Sequence, residues 1–247
     1  MKILISNDDG YLAEGINVLA KRLSRKHQVT IFAPSKNKSA SSSSLTIDKA
    51  LKPEKISDSI YTINGTPSDS THFALCGYFD EEFDLVIAGI NFGPNLGDDV
   101  IYSGTVAAAI EGRFVGLPSI AISLASWDGK NFDTAAKVAE IIVDNVEFSE
   151  LSTNTVLNIN VPDIPFNEIR GFKTSRLGRR HKSENILQDE ENSSLYWIGE
   201  NGKEADNGLG TDFYAIKNNY VSITPLKIDL TNYDEIDKVD NWITKII

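Results

Sequence analysis

Short uninterrupted apolar runs alternate with longer stretches whose apolar positions recur every three or four residues, and this alternation predicts most of the chain's elements. Ile3-Leu4-Ile5 reads as a buried strand that ends at Asn7-Asp8-Asp9-Gly10. Ile16, Leu19, Ala20 and Leu23 then recur at helical spacing between Glu14 and Lys26, and Val29–Ala33 reads as a second strand closed by Pro34. Ile60–Ile63 and Asp84–Ala88 give further strands, the latter ending in Gly89. Helical spacing over Ser70–Leu75, Val106–Val115 and Phe132–Val146, with strands at Ser119–Ser123 and Val156–Asn160, completes the pattern. Strands alternating with helices predict an α/β fold, a doubly wound, mostly parallel sheet of Rossmann-like type covered on both faces.

Residues 168–226 break this rhythm. β-type runs at Ile169–Lys173, Leu195–Ile198 and Val221–Thr224 are separated by polar, glycine-rich stretches, which predicts a C-terminal antiparallel β extension. Tyr233–Ile247 closes the chain as a helix, with Ile236, Val239, Trp242, Ile243 and Ile246 on one apolar face that needs a surface to dock on. The expected organisation is a single domain, residues 1–247, with an α/β core over 1–165 and the extension and terminal helix over 166–247.

Charge narrows the partners. The chain has 247 residues with 24 Lys and Arg against 35 Asp and Glu, a formal net charge of −11. That balance opposes binding to polyanions, so nucleic-acid duplexes and anionic membrane surfaces are poor expectations. The lone Cys76 cannot form an intramolecular disulfide, the apolar start is too short for a signal peptide, and the expected location is cytoplasmic.

In open parallel sheets ligands bind at the carboxyl ends of the strands, so the polar residues just past each strand carry the chemistry. The first strand is followed by Asp8 and Asp9, the second leads to the serine-rich loop from Ser39, and Asp84–Ala88 leads to Gly89-Ile90-Asn91-Phe92-Gly93-Pro94-Asn95. Adjacent carboxylates repel when both are ionised, and a shared Mg²⁺ or Mn²⁺ is one way to keep both charged. Carboxylate, hydroxyl and amide oxygens suit such a cation. Asn7–Gly10 is equally compatible with a solvated turn. Ser103-Gly104-Thr105 precedes a helical pattern, where hydroxyls and unpaired backbone N–H groups serve either as a plain cap or as a phosphate cradle. Gly65-Thr66-Pro67 reads as a helix start with Thr66 as cap, His72 as a structural histidine, and Arg176, Arg179, Arg180 and His181 as a basic cluster facing solvent, substrate phosphate or a neighbouring subunit.

Ile5–Gly10, Asn37-Lys38-Ser39, Asn64–Pro67, Gly89–Asn95, Tyr102–Val106, Leu157–Pro162 and Tyr220–Pro225 together resemble, in order and spacing, the SurE family, the survival protein E nucleotidases. The resemblance covers nearly the whole chain. It implies a metal-dependent phosphomonoesterase that releases phosphate from nucleoside 5′- or 3′-monophosphates, with one Mg²⁺ or Mn²⁺ per subunit. It also implies that Asp8, Asp9, Ser39 and Asn91 are the metal ligands, with Asp8 and Asp9 catalytic, and that Asn95, Ser103, Gly104 and Thr105 hold phosphate. A homodimer or homotetramer built through the C-terminal region is implied as well. The chain departs from the family at Ser39–Ser44, where members often carry Gly and Asn.

Two other readings fit less well. A receiver-type switch needs a phosphoacceptor Asp near Ala88–Asn91, and none is there. A dehalogenase-type phosphatase uses Asp-x-Asp, whereas Asp8 and Asp9 are adjacent. A serine-hydrolase triad and a Walker A loop lack their sequences.

Overall fold

The structure is a computed structural model that describes residues 1–199 and 201–246. Its elements run β1 (Lys2–Ser6), α1 (Glu14–Leu23), β2 (Gln28–Pro34), β3 (Pro53–Ser57), β4 (Ile60–Ile63), α2 (Pro67–Phe73), β5 (Leu85–Phe92), α3 (Gly104–Phe114), β6 (Ser119–Leu124), α4 (Phe132–Asn145) and β7 (Thr155–Val161). They continue with β8 (Phe172–Thr174), β9 (Arg179–Arg180), β10 (Leu187–Gln188), β11 (Tyr196–Trp197), β12 (Glu204–Asp206), α5 (Asp212–Lys217), β13 (Val221–Lys227) and α6 (Ile236–Ile243). Nine strands form one sheet in the order β3-β4-β2-β1-β5-β6-β7-β13-β8. From β4 through β7 every neighbouring pair is parallel, with β3 antiparallel at one edge and β13 antiparallel to β7 near the other.

Alternating residues of the inner strands explain the two cores. Ile3 and Ile5 of β1 face one side and pack with Ile16, Leu19 and Leu23 of α1 and Phe132, Ala135 and Val138 of α4. Leu4 points to the other side, among Phe32, Ile63 and Val86. Val106, Ala108 and Ala109 of α3 cover Ala88 and Ala121 on that same face. Both faces are therefore buried, which is why these strands read as unbroken apolar runs. Two glycines let helices approach the sheet closely. A Cβ on Gly15 of α1 would stand 2.0 Å from the Ile90 carbonyl oxygen, and one on Gly112 of α3 would stand 2.6 Å from Val86 Cγ2. α2 begins as expected, with Pro67 in its first turn and a reciprocal capping box between Thr66 and Asp69.

Several expectations need correction. β5 does not stop at Gly89 but runs on to Phe92, because Gly89, at φ +132°, takes up a bulge against β6 between Ala88 and Asn91. The strand at 221–227 joins the main sheet, and β8 pairs with it in parallel, so among the described residues only β9–β12 and β10–β11 form antiparallel pairs outside the main sheet. β3 and the short helix α5 were not anticipated. The terminal helix α6 is shorter than expected, and among the described residues nothing buries its apolar stripe: Ile236, Val239, Trp242, Ile243 and Ile246 are all exposed. Ile247, the end of the expected helix, lies outside the described residues. Among the described residues no helix is long and apolar enough to cross a membrane.

The strand order places β1 between β2 and β5. The chain moves outward from β1 to β2 and β4, then returns to the other side of β1 as β5. This reversal opens a crevice at the carboxyl ends of β1 and β5, the general ligand position in such sheets.

Candidate active site

Asp8 and Asp9 stand at that crevice because their neighbours make the turn. Asn7 Nδ2 donates to the Gly10 carbonyl at 3.0 Å and Asn7 Oδ1 accepts from the Gly10 N–H at 3.1 Å, while Gly10 adopts φ +97°. The turn chemistry thus belongs to Asn7 and Gly10, and neither carboxylate between them is spent on it. The Asp8 carbonyl accepts from Lys38 N at 2.7 Å, which ties the loop after β2 to the end of β1.

Asp8 is almost wholly buried. Its Oδ1 accepts from the Thr105 hydroxyl at 2.5 Å, and the backbone amides of Gly104 and Thr105, at the N-terminus of α3, also favour its anion. Burial outweighs these bonds and raises its pKa. Asp9 accepts from the Phe92 N–H through Oδ2 at 3.1 Å. Burial, followed by the charge of Asp8 beside it, pushes its pKa up to about 6. No Lys, Arg or His among the described residues forms an ion pair with either carboxylate.

Asn91, on the extended part of β5, is oriented by its own amide, which donates to the Gly93 carbonyl at 2.8 Å and turns Oδ1 toward Thr105. The single Thr105 hydroxyl proton is taken by Asp8, the nearer of its two acceptors, so Asn91 Oδ1 at 3.2 Å keeps its lone pairs for another partner. Ser39 is exposed at the rim, its hydroxyl and backbone N–H both donating to Asn37 Oδ1 at 2.8 Å. Asp8, Ser39 and Asn91 line one cleft, together with Asn95, Asp99, Tyr102 and Ser103.

The expected phosphate residues fall on the same side. Ser103 caps α3 by accepting the Val106 N–H at 3.1 Å, which uses an oxygen lone pair and leaves its proton free to donate into the cleft. Capping and ligand binding are therefore compatible at this residue. Thr105 is fully buried, with its hydroxyl committed to Asp8, so its side chain positions a carboxylate and its backbone N–H favours that same anion. A Cβ at Gly104 would stand 2.8 Å from both Asp8 Cβ and Ser41 Oγ, which accounts for glycine there. That Ser41 hydroxyl is shielded from solvent and has no partner among the described residues.

Several supporting residues were not visible from sequence. Asn95 is buried and held on every side: its N–H donates to Asn160 Oδ1 at 2.9 Å, its carbonyl accepts from the Asn158 and Asn160 amides, and its own amide donates to Ser123 Oγ at 2.8 Å. Alternating Asn158 and Asn160 inside an apolar strand was the available signal. Buried Asp212 accepts from the N–H groups of Gly97 and Gly178 at 2.7 and 2.8 Å, so the short helix α5 fixes the loop that follows Asn95. In the basic cluster, Arg180 grips Asp99 through Nε and a terminal nitrogen, and Arg176 pairs with Asp206. His72 faces Glu111 at 3.3 Å, which agrees with a structural role.

The fold and this cleft define a doubly wound α/β protein with an oxygen-lined, acidic pocket at the point where the strand order reverses. The chain belongs to the SurE family: the family model Survival protein SurE matches residues 3–184. It is 63% identical over all of its length to the 5′-nucleotidase SurE of Vesicomyosocius okutanii subsp. Calyptogena okutanii (strain HA), covering 99% of that protein. It is 62% identical to the 5′-nucleotidase SurE of Ruthia magnifica subsp. Calyptogena magnifica, with both chains fully covered. A crystal structure of the SurE protein from Aquifex aeolicus superposes with a TM-score of 0.87 at 39% identity, over 98% of this chain and 99% of that one.

The site's own economy of hydrogen bonds gives a stability test in EDTA. Thr105→Val, which leaves a buried carboxylate without its hydroxyl donor, is expected to lower folding stability by about 1–3 kcal/mol. Asp9→Asn, which removes a charge that burial and Asp8 already disfavour, is expected to melt at or above wild type. Denaturant melts of both variants check this; a clear loss of stability in Asp9→Asn contradicts the electrostatic picture.

Proposed function

We propose that this protein is a divalent-metal-dependent phosphomonoesterase that hydrolyses nucleoside 5′-monophosphates, and 3′-monophosphates, to nucleoside and inorganic phosphate. The observation that carries the reading is the pair of adjacent, largely buried carboxylates without a cationic partner, at the carboxyl end of β1 and beside the N-terminus of α3. Membership of the SurE family and the 5′-nucleotidase names of relatives 62–63% identical over the full length support it.

The residues fit a hard cation. Asp8 and Asp9 would contribute charge, Asn91 Oδ1 has lone pairs to spare, and Ser39 at the rim would add its hydroxyl, an all-oxygen set that suits Mg²⁺ or Mn²⁺. Among the described residues no cluster of three or more His, Cys, Asp or Glu competes as a site. When bound, the cation supplies neutralisation of phosphate oxygens and a polarised phosphorus. The chain does the rest. The Ser103 hydroxyl, the positive N-terminal end of α3 that also faces Asp8, and the fixed Asn95 hold the phosphoryl oxygens where charge spreads in the transition state. Thr105 keeps Asp8 oriented, and Phe92 N–H keeps Asp9 oriented, so neither carboxylate has to be ordered when the substrate binds.

Phosphate release from a nucleoside monophosphate is expected with Mg²⁺ or Mn²⁺ and is expected to vanish in excess EDTA and in Asp9→Asn. A Mn²⁺-induced rise in melting temperature should be present in wild type and absent in Asp9→Asn. Full turnover in EDTA overturns the reading. Ser103→Ala is expected to cost about 0.5–2 kcal/mol as a lost cap and, separately, about 10²–10³ in turnover per folded molecule as a lost phosphoryl donor.

The same reading carries a homodimer or homotetramer and a cytoplasmic location. The apolar stripe of α6 is exposed among the described residues, and a second copy is the occupant the resemblance implies. Val239→Glu with Trp242→Glu is expected to lower the mass seen by light scattering; an unchanged mass, or a monomeric wild type, contradicts it.

A further inference from the structure

Polar residues make the floor of the cleft and aromatic residues make its mouth. Phe92, Tyr102 and Trp127 line the same cleft as Asp8, Asn91 and Ser103, and all three are exposed, Trp127 by 70%. An indole that exposed contributes little to the core, yet it is firmly mounted. A Cβ on Gly93 would stand 2.4 Å from the Trp127 ring, so the indole rests directly on the glycine backbone, at φ +108°. Its neighbour Phe92 meets it edge-on at 6.5 Å between centroids and stacks behind on buried Phe132, also at 6.5 Å. Three rings thus step outward from the core beneath α4 to the rim of the cleft. The loop that carries Trp127 is pinned from below, since the N–H groups of Lys130 and Asn131 both donate to Asp163. Tyr102 stands on another element, immediately before Ser103, the cap of α3.

We propose that Trp127, backed by Phe92, is the base-stacking platform of this enzyme and sets its preference for phosphomonoesters that carry a large aromatic base, purine nucleotides above all. The proposal rests on the phosphatase reading of the cleft floor. A phosphate held at Ser103, Gly104 and Asn95 leaves its ester oxygen and everything beyond it directed to the mouth, where the available surface is aromatic and preorganised. A ring stacked on Trp127 gains contact area without ordering the indole first, because Gly93 and Phe92 already fix it. Purines offer more face than pyrimidines, and an aliphatic ester offers none. Trp127 is a specificity residue in this account and takes no part in the chemistry at phosphorus.

The test compares kcat/KM for adenosine 5′-monophosphate with kcat/KM for glycerol phosphate, in wild type, Trp127→Ala and Trp127→Phe, at saturating Mn²⁺. The ratio is expected to fall about 5- to 150-fold in Trp127→Ala, the span that base–aromatic stacking covers on alanine substitution, with the loss carried by KM. Trp127→Phe, which keeps a ring on Gly93, is expected to restore most of it. A ratio within twofold of wild type in Trp127→Ala overturns the platform, as does a loss carried by kcat alone. Failure of wild type to release phosphate from either ester refutes the phosphatase reading itself, so the two failures are distinct.

Discussion

Two neighbouring carboxylates held together at the end of a buried strand are the constraint around which the rest of the site is arranged. In water such a pair stays ionised because solvent screens its repulsion, whereas burial makes both charges costly. Here Asn7 and Gly10 close the turn, α3 aims its first-turn amides at Asp8, the Thr105 hydroxyl fixes one Asp8 oxygen, and the Phe92 N–H fixes one of Asp9. These bonds fall short of offsetting burial, and both groups are left with raised pKa values. The protein has built a place where negative charge is oriented but uncompensated, which is the electrostatic condition for holding a divalent cation against an anionic ester.

The sheet supplies this condition through its topology. Because the chain departs from β1 in one direction and returns beside it as β5, a crevice opens at the ends of the two strands, lined by Asp8 and Asn91. The bulge at Gly89 carries β5 past the crevice, so that Phe92 and Gly93, one bonded to Asp9 and one under Trp127, belong to the same strand end as Asn91. The C-terminal part closes the cleft from above. Asn201 donates to Asp99, Arg180 grips the same carboxylate, and Asp212 anchors Gly97, so the loop between Asn95 and Ser103 is held by residues far along the chain.

What could be read from sequence follows from these physical facts. The strands β1, β2, β6 and β7 were legible because burial on both faces leaves continuous apolar runs, α1 and α4 because one face of each is charged or polar, and α3 because its alanine-rich run is helix-forming and bounded by a cap and by Pro118. Asp8, Asp9 and Asn91 were legible as residues just past strand ends, and the metal-ligand roles proposed for them come from the SurE resemblance. The course of β5 was not, since a glycine reads as a strand end and a bulge leaves no periodic mark. The pairings of 168–227 were hidden because β8 and β13 are half-exposed and their register is set by β7 and not by their own pattern. Asn158 and Asn160 looked like interruptions of a strand, and only the structure shows both donating to the Asn95 carbonyl. The committed hydroxyl of Thr105 could not be separated from the free one of Ser103 without coordinates.

Anomalous diffraction from a crystal soaked in Mn²⁺ tests the proposed cation site at Asp8 and Asp9 most directly. The expected result is one anomalous peak per chain, with oxygens of Asp8, Asp9 and Asn91 within about 2.0–2.3 Å, the distance typical of small hard cations, and the Ser39 loop drawn in from the rim. A fully soaked crystal with no peak between Asp8 and Asp9, or with its manganese elsewhere, would contradict the central claim.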